Sequence, residues 1–152
     1  MINIIEIPVT KRQDFLDFLL LADEQPELVA QYMFKGQMYA LIYQQTLCAT
    51  CLVLPFNKTD IEIKNLAVLP VFQRQGLGKK LLLAVCQKYP KATFAYVGTG
   101  QSPVTMNFYQ HCGFEYAYRI KNFFLDNYDH EIFEEGIQLV DMIYLKKKLT
   151  NC

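Results

Sequence analysis

The stretch Asn65-Leu-Ala-Val-Leu-Pro70-Val-Phe-Gln73-Arg-Gln-Gly76-Leu-Gly78-Lys-Lys80 joins two kinds of periodicity. Up to Pro70 it reads as the end of a β-rich run that begins at Asp60. From Gly76 the apolar residues recur at helical spacing, with Leu77, Leu81, Leu82, Val85 and Tyr89 on one stripe and Lys79, Lys80, Gln87 and Lys88 off it, until Pro90 stops the pattern. The order is strand, short turn, glycine-bearing helix start. A helix start leaves amide hydrogens without partners and carries partial positive charge, so it can hold an anion such as a phosphate, and glycine lets that anion approach the backbone. Arg74, Lys79 and Lys80 add charge at the same end. The spacing matches neither the dinucleotide loop G-x-G-x-x-G nor the P-loop G-x-x-x-x-G-K-[ST], which disfavours a dinucleotide or a nucleoside triphosphate held in those ways. Taken alone, the glycines fit a simple turn as well.

Upstream, residues 2–7 alternate apolar and polar and are closed by Pro8, as a first strand would be. Thr10 is the expected N-cap of an amphipathic helix carrying Phe15, Phe18, Leu19 and Ala22, and Pro26 suits the first turn of a second short helix that reaches Met33 before Gly36. Residues 37–44 and 46–55 read as an antiparallel hairpin. Downstream, residues 93–97 form a short strand, Ser102-Pro103 opens a helix that Gly113 ends, and residues 115–125 and 139–149 are the expected last strands. The predicted order is β-α-α-β-β-β-α-β-α-β-β, an α/β fold with a mixed sheet in one domain over residues 1–152.

Composition narrows the function classes. Of 152 residues 52% are hydrophobic, and fifteen Lys and Arg balance fifteen Asp and Glu. A chain of this length buries enough surface to fold without disulfides or a structural metal, and zero formal charge argues against a general nucleic-acid binder. No apolar run approaches the ~18 residues of a membrane helix. The first residues lack a basic segment ahead of their apolar run, so no secretory signal and a cytoplasmic location are expected, with no membrane partner. Cys48-x-x-Cys51 lies in a strand-like run, where residues three apart point to opposite faces, a poor geometry for a shared metal or a disulfide. Neither His111 nor His130 has a metal-ligand spacing with a cysteine, so no metal is expected.

A second motif, Tyr109-Gln-His-Cys-Gly113-Phe114, follows the first at a telling distance. The segment Gln73-x-x-Gly76-x-Gly78 after Asn65-Leu-Ala-Val-Leu-Pro70 resembles the acetyl-coenzyme A motif of the GNAT N-acetyltransferases, and the tyrosine motif resembles their second one. The resemblance covers residues 1 to 149. It implies the GNAT fold and acetyl-CoA as cosubstrate, with the turn amides on its pyrophosphate and the pantetheine along an exposed strand edge. Carried over by position, Leu66 and Val68 offer backbone groups to the pantetheine, while Gln73, Arg74, Gln75, Gly76, Gly78 and Lys79 surround the pyrophosphate. The sequence departs from the family in having Gln73 where arginine is frequent, and in the region where an asparagine commonly precedes the tyrosine by several residues, which here reads Gln101-Ser-Pro-Val-Thr-Met-Asn107.

The resemblance further implies transfer of the acetyl group to a primary amine by direct attack in a ternary complex. Tyr109 is the expected acid, since a phenol of pKa about 10 keeps its proton at neutral pH and can give it to a departing thiolate. Packing against Phe108 and Phe114 is its alternative role. Glu62, eleven residues before Gln73, stands where some members of the superfamily carry a general base; others use water. Asn65 has the opposite strand parity to Glu62 and is placed to order a water or satisfy backbone. Between Asn122 and Tyr144 there is no Lys or Arg, and an acidic rim with Glu134 and Glu135 on the acceptor side would draw in a cationic amine. A solvated loop is the plainer account. Tyr128, Phe133 and Tyr116 are candidate walls of the acceptor pocket. A non-catalytic acyl-CoA-binding module on the same fold, or an interaction protein without a ligand, remains an alternative, and a homodimer is compatible with the sequence.

Overall fold

Ten-residue β3 is the spine of the fold, because a nearly continuous apolar run from Leu47 to Leu54 lets it be covered on both faces. A computed structural model describes residues 1–149, and Cys152 lies outside them. The elements are β1 (Ile2–Ile7), α1 (Leu16–Ala22), α2 (Pro26–Tyr32), β2 (Gln37–Tyr43), β3 (Thr46–Pro55), β4 (Ile61–Val68), α3 (Leu77–Cys86), β5 (Phe94–Gly100), α4 (Pro103–His111), β6 (Glu115–Ile120), α5 (Phe123–Asn127), β7 (Phe133–Glu134), β8 (Ile137–Gln138) and β9 (Met142–Lys148). A seven-stranded sheet runs β1-β2-β3-β4-β5-β9-β6, and β7-β8 is a separate hairpin. Only the β4–β5 pair is parallel.

The sheet divides two cores. On one face Leu77, Leu81, Leu82 and Val85 of α3, with Tyr109 and Cys112 from α4 and its end, pack on Leu41, Cys51, Val53, Ile63 and Val97. On the other, Leu19, Val29, Tyr32 and Met33 of the α1–α2 region pack on Met38, Ala40 and Leu52. A third cluster, Phe124, Ile132 and Leu139, sits under the segment between β6 and β9.

Two bulges alter the parity that the sequence suggests. Leu41 pairs with Ala49 but Ile42 with Leu47, so Cys48 is an extra residue in β3. Cys48 and Cys51 therefore share one core instead of facing opposite sides, and both are free thiols. Likewise Leu52 pairs with Asn65 but Val53 with Ile63, which leaves Lys64 as an extra residue in β4.

The start of the first helix also differs from expectation. Pro8 precedes a 3-10 turn over Val9–Phe15, Thr10 caps nothing, and the α-helix begins only at Leu16. The turn serves to bury Arg12, which is 1% exposed. Its guanidinium donates to the carbonyls of Met33 at 3.2 Å, Lys35 at 2.6 Å and Gly36 at 2.8 Å, satisfying backbone groups that the end of α2 leaves over. Gly36 is required there, since it has φ +60 and a Cβ would lie 1.9 Å from the Val53 carbonyl oxygen. The last strands are shorter than the periodicity suggests, because α5 and the β7–β8 hairpin occupy the interval.

Arg12→Ala would leave the buried carbonyl of Met33, and the part-buried ones of Lys35 and Gly36, without their donor, and loss of these hydrogen bonds should lower stability by about 2 kcal/mol. Urea unfolding should show the midpoint falling with an unchanged slope.

Candidate active site

β4 and β5 are paired only over Ile61–Ala95, Glu62–Tyr96 and Ile63–Val97. Beyond these residues β5 continues alongside β9, with Gly98 opposite Tyr144 and Gly100 opposite Met142, while β4 keeps only β3. The strands part at the bulge, as expected where an extra residue bends one of them. A wedge opens between residues 64–68 and 98–100, edged by backbone donors and acceptors that need partners. Leu66 and Val68 lie on its β4 side, their side chains packed toward α3 and α4. Such an edge can accept an extended ligand with amide groups of its own.

At the wide end of the wedge the chain turns into α3. Arg74 at φ +64 and Gly76 at φ +79 both adopt left-handed backbone, which folds the turn back on itself. Among the described residues the amides of Gly76, Leu77, Gly78 and Lys79 have no well-formed backbone hydrogen bond, and the amide of Lys80 donates to Gly76 at 3.1 Å. The side chains of Gln73 and Gln75 brace the turn, donating to the carbonyls of Val68 at 3.0 Å and Val71 at 3.3 Å. The two glycines have different tasks. A Cβ on Gly76 would meet nothing within 4 Å, so its surface is open to a ligand, whereas one on Gly78 would come within 3.1 Å of Val68 Cγ2 and 3.4 Å of Phe108 Cζ. Gly78 thus lets α3 approach β4 and α4 closely. Free amides, the helix dipole and the exposed Arg74, Lys79 and Lys80 make this turn suited to an anion.

Glu62 lies on the α1–α2 face where the strands begin to part. Burial pushes its carboxyl above the usual range, against the opposing effects of Lys64 and of a hydrogen bond from Tyr144 Oη to Glu62 Oε2 at 3.3 Å. Because Lys64 is the extra residue, Asn65 shares that face instead of opposing it. Asn65 Nδ2 donates to the Leu19 carbonyl and to Tyr32 Oη, both at 2.9 Å, and is therefore a strut between β4 and the α1–α2 wall. Tyr32 and Tyr128 each donate to Asp23 at 3.1 Å, so the loop after α1 and the segment after α5 are tied together. Tyr128 does belong to this wall. Tyr116 does not, since it pairs with Leu145 and a bulge at Ala117 places only its neighbour Tyr118 beside Tyr144. Phe133, 57% exposed, covers nothing comparable.

On the other face, Tyr109 is 7% exposed. Its ring meets Phe108 and Phe114 edge to face at 5.1 Å and 5.6 Å. Burial, with Cys51, Cys112 and Glu134 adding to it, holds the phenol protonated well above its ordinary range. Glu134 accepts a hydrogen bond from Thr105 Oγ1, one helical turn before Tyr109, whereas Glu135 stands at the exposed hairpin tip at φ +51. Part of the acidic segment is consumed internally: Asp141 pairs with Arg119 at 3.1 Å and Asp129 with His130 at 2.5 Å. Sequence reading missed Tyr118, Tyr144 and Tyr96 around Glu62. Their grouping depends on register and on the Ala117 bulge, neither of which leaves a local mark. Among the described residues no group of three or more His, Cys, Asp and Glu is arranged to hold a metal ion, and no helix is long and apolar enough to cross a membrane.

The wedge, the anion turn and the strand order are those of one enzyme superfamily. The family model for the GNAT acetyltransferase domain matches residues 35–116, and the chain belongs to the GNAT family of acetyl-CoA-dependent acetyltransferases. It is 35% identical over 144 residues to the uncharacterized N-acetyltransferase YvbK of Bacillus subtilis (strain 168), covering 93% of each chain. A solved GNAT family acetyltransferase from Elizabethkingia anophelis, with acetyl-CoA bound, shares 36% identity over 97% of each chain with a TM-score of 0.86. A Bacillus subtilis acetyltransferase in complex with CoA shares 34% over 97% of this chain and 99% of its own, with a TM-score of 0.89.

Gly76→Asp tests the turn. Asp tolerates left-handed backbone better than most residues and has room here, so the unliganded melting temperature should change by only a few degrees. Acetyl-CoA at a hundredfold excess over its Kd should stabilise the natural chain by about 2.7 kcal/mol and leave the variant unprotected. Thermal melts with and without the cosubstrate provide the check.

Proposed function

We propose that the chain transfers the acetyl group of acetyl-CoA to a primary amine by direct attack in a ternary complex. The observation that carries this reading is the pairing of groups about the wedge: the half-buried carboxyl of Glu62 on one face of the sheet and the protonated phenol of Tyr109 on the other. When bound, the thioester supplies an activated acyl carbon and a thiolate leaving group. Leu66 and Val68 hold the pantetheine through their backbone edge. The turn around Gln73, Arg74, Gln75, Gly76, Gly78 and Lys79 takes the pyrophosphate, with Gln73 and Gln75 acting as its braces.

A lysine-like amine has a pKa near 10.4, so it arrives as an ammonium and must lose a proton before it can attack. Glu62 takes that proton, and partial burial makes it a stronger base than an exposed carboxylate. Tyr109 gives its proton to the departing sulfur and regains one from solvent after release. The nitrogen loses two protons in all, one to Glu62 before attack and one to solvent from the tetrahedral adduct, while the sulfur gains one from Tyr109, so an ammonium and a thioester become an amide, a thiol and one released proton. Acidic residues near the acceptor side favour a cationic substrate. Glu135, exposed at the hairpin tip, carries more of this effect than Glu134, which Thr105 already engages.

Tyr109→Phe keeps the ring and its two edge-to-face contacts. It should retain protection by acetyl-CoA while kcat falls by about 10²-fold, the lower end for a general acid. Wild-type kcat in this variant would rule out the acid. Release of free CoA thiol across an amine panel tests the reaction itself: protection by acetyl-CoA with no thiol release for any amine would reduce the chain to a binding module.

Glu134→Gln with Glu135→Gln should raise KM for a cationic amine at low salt and leave kcat nearly unchanged. The difference should fade as ionic strength rises, because encounter is what the charges affect. Salt-independent KM values in both proteins would remove these residues from the acceptor site.

A further inference from the structure

Tyr144 approaches Glu62 from an unusual direction. It is on β9, opposite Gly98, and Glu62 is on β4, opposite Tyr96, so the phenol reaches the carboxylate across the whole width of β5. Gly98 makes that crossing feasible. A Cβ there would lie 3.0 Å from Tyr144 Cζ and 2.9 Å from Met142 Sδ, so any side chain at this position would displace the ring. The ring is held in place by Tyr118, stacked on it at 4.9 Å with planes 10° apart, and by Phe56 at 6.0 Å, itself stacked on Tyr96 at 4.2 Å. Tyr144 is half-buried and Tyr118 is the outer, exposed member of the stack.

We infer that Tyr144 is a positioning residue for Glu62: its hydroxyl fixes one carboxylate oxygen at the narrow end of the wedge and leaves the other for the acceptor amine. This inference rests on the proposed role of Glu62 as base. A carboxyl group on a strand beside an open wedge has several rotamers, and a single donor from a rigid ring selects among them. The same bond stabilises the charged form of the carboxylate, against the effect of burial. The titratable and charged groups that face Glu62 are Lys64 on its own strand, Tyr96 from β5, Tyr144 from β9 and Tyr118 from β6. Lys64 extends over the Tyr32 ring at 5.3 Å, and of the phenols only Tyr144 is within hydrogen-bond distance of Glu62.

Two variants separate the hydroxyl from the ring. Tyr144→Phe removes the donor and keeps the stack. Gly98→Ala keeps the donor and pushes the ring away. The direct measurement is a carbon-13 NMR titration of glutamate side chains in the unliganded protein, with the Glu62 signal assigned by its loss in Glu62→Gln. Losing a hydrogen bond to the charged form must raise the midpoint, so Glu62 should titrate at higher pH in both variants than in the natural chain. In thiol-release assays with the best amine of the panel, the acid limb of kcat/KM should move upward with it. At a pH within that limb kcat/KM should fall about tenfold in Tyr144→Phe, while its protection by acetyl-CoA is unchanged. An unshifted Glu62 midpoint in Tyr144→Phe, with wild-type kcat/KM, would overturn the positioning role. A Glu62→Gln enzyme with the natural rate and pH profile would instead sink the base assignment, and the titration in the unliganded protein would still report on the Tyr144 contact.

Discussion

One surplus residue governs the site. β4 carries Lys64 without a counterpart on β3, and the strand bends there. Three features follow from that bend. The parallel pairing with β5 ends one residue earlier, at Ile63, which opens the wedge. The parity of β4 reverses, so Leu66 and Val68 turn toward α3 while Asn65 turns toward α1. Glu62, just before the bend, is left at the narrow end of the opening with its face shared by Asn65. A regular strand would have stayed in register with β5 to its end and covered the surface that a thioester needs.

The order of elements was readable because each boundary has a chemical mark. Pro8, Pro70 and Pro90 end segments, Ser102-Pro103 starts one, and Gly36 and Gly113 close helices. The turn between β4 and α3 was readable too, since Pro70 and the two glycines stand where the apolar period changes from strand to helix. The faces of strands were harder. Alternation assigns side chains only while the ladder is regular, and the bulges at Cys48, Lys64 and Ala117 are invisible in composition. That is why alternation puts Cys48 and Cys51 on opposite sides and sets Asn65 apart from Glu62, and why it offers Tyr116 as a pocket wall but does not show that Tyr118 and Tyr144 lie beside the carboxylate. Thr10 failed as a cap for a different reason. The buried hydrogen bonds of Arg12 reward a tight 3-10 turn more than one capping bond rewards an early helix start.

The wall opposite the sheet is held by polar links. Arg12 secures the end of α2, Asn65 ties α1 and α2 to β4, and Asp23 gathers Tyr32 and Tyr128 from two separate segments. Helices of seven residues are too short to persist by themselves, so these links add to apolar packing in holding α1 and α2 in place. They also explain why polar residues are buried in a region that hydropathy alone would leave apolar.

The division of the interior into two cores has a consequence for how such a protein can change. α3 and α4 pack in one core, α1 and α2 pack in the other, and the sheet stands between them. Replacements on opposite faces share few neighbours, so their energetic effects should combine nearly additively. The α1–α2 wall is therefore free to be repacked while the turn into α3 keeps its dimensions. Coupling is concentrated where the faces meet, at the few β4 and β5 residues around the bend.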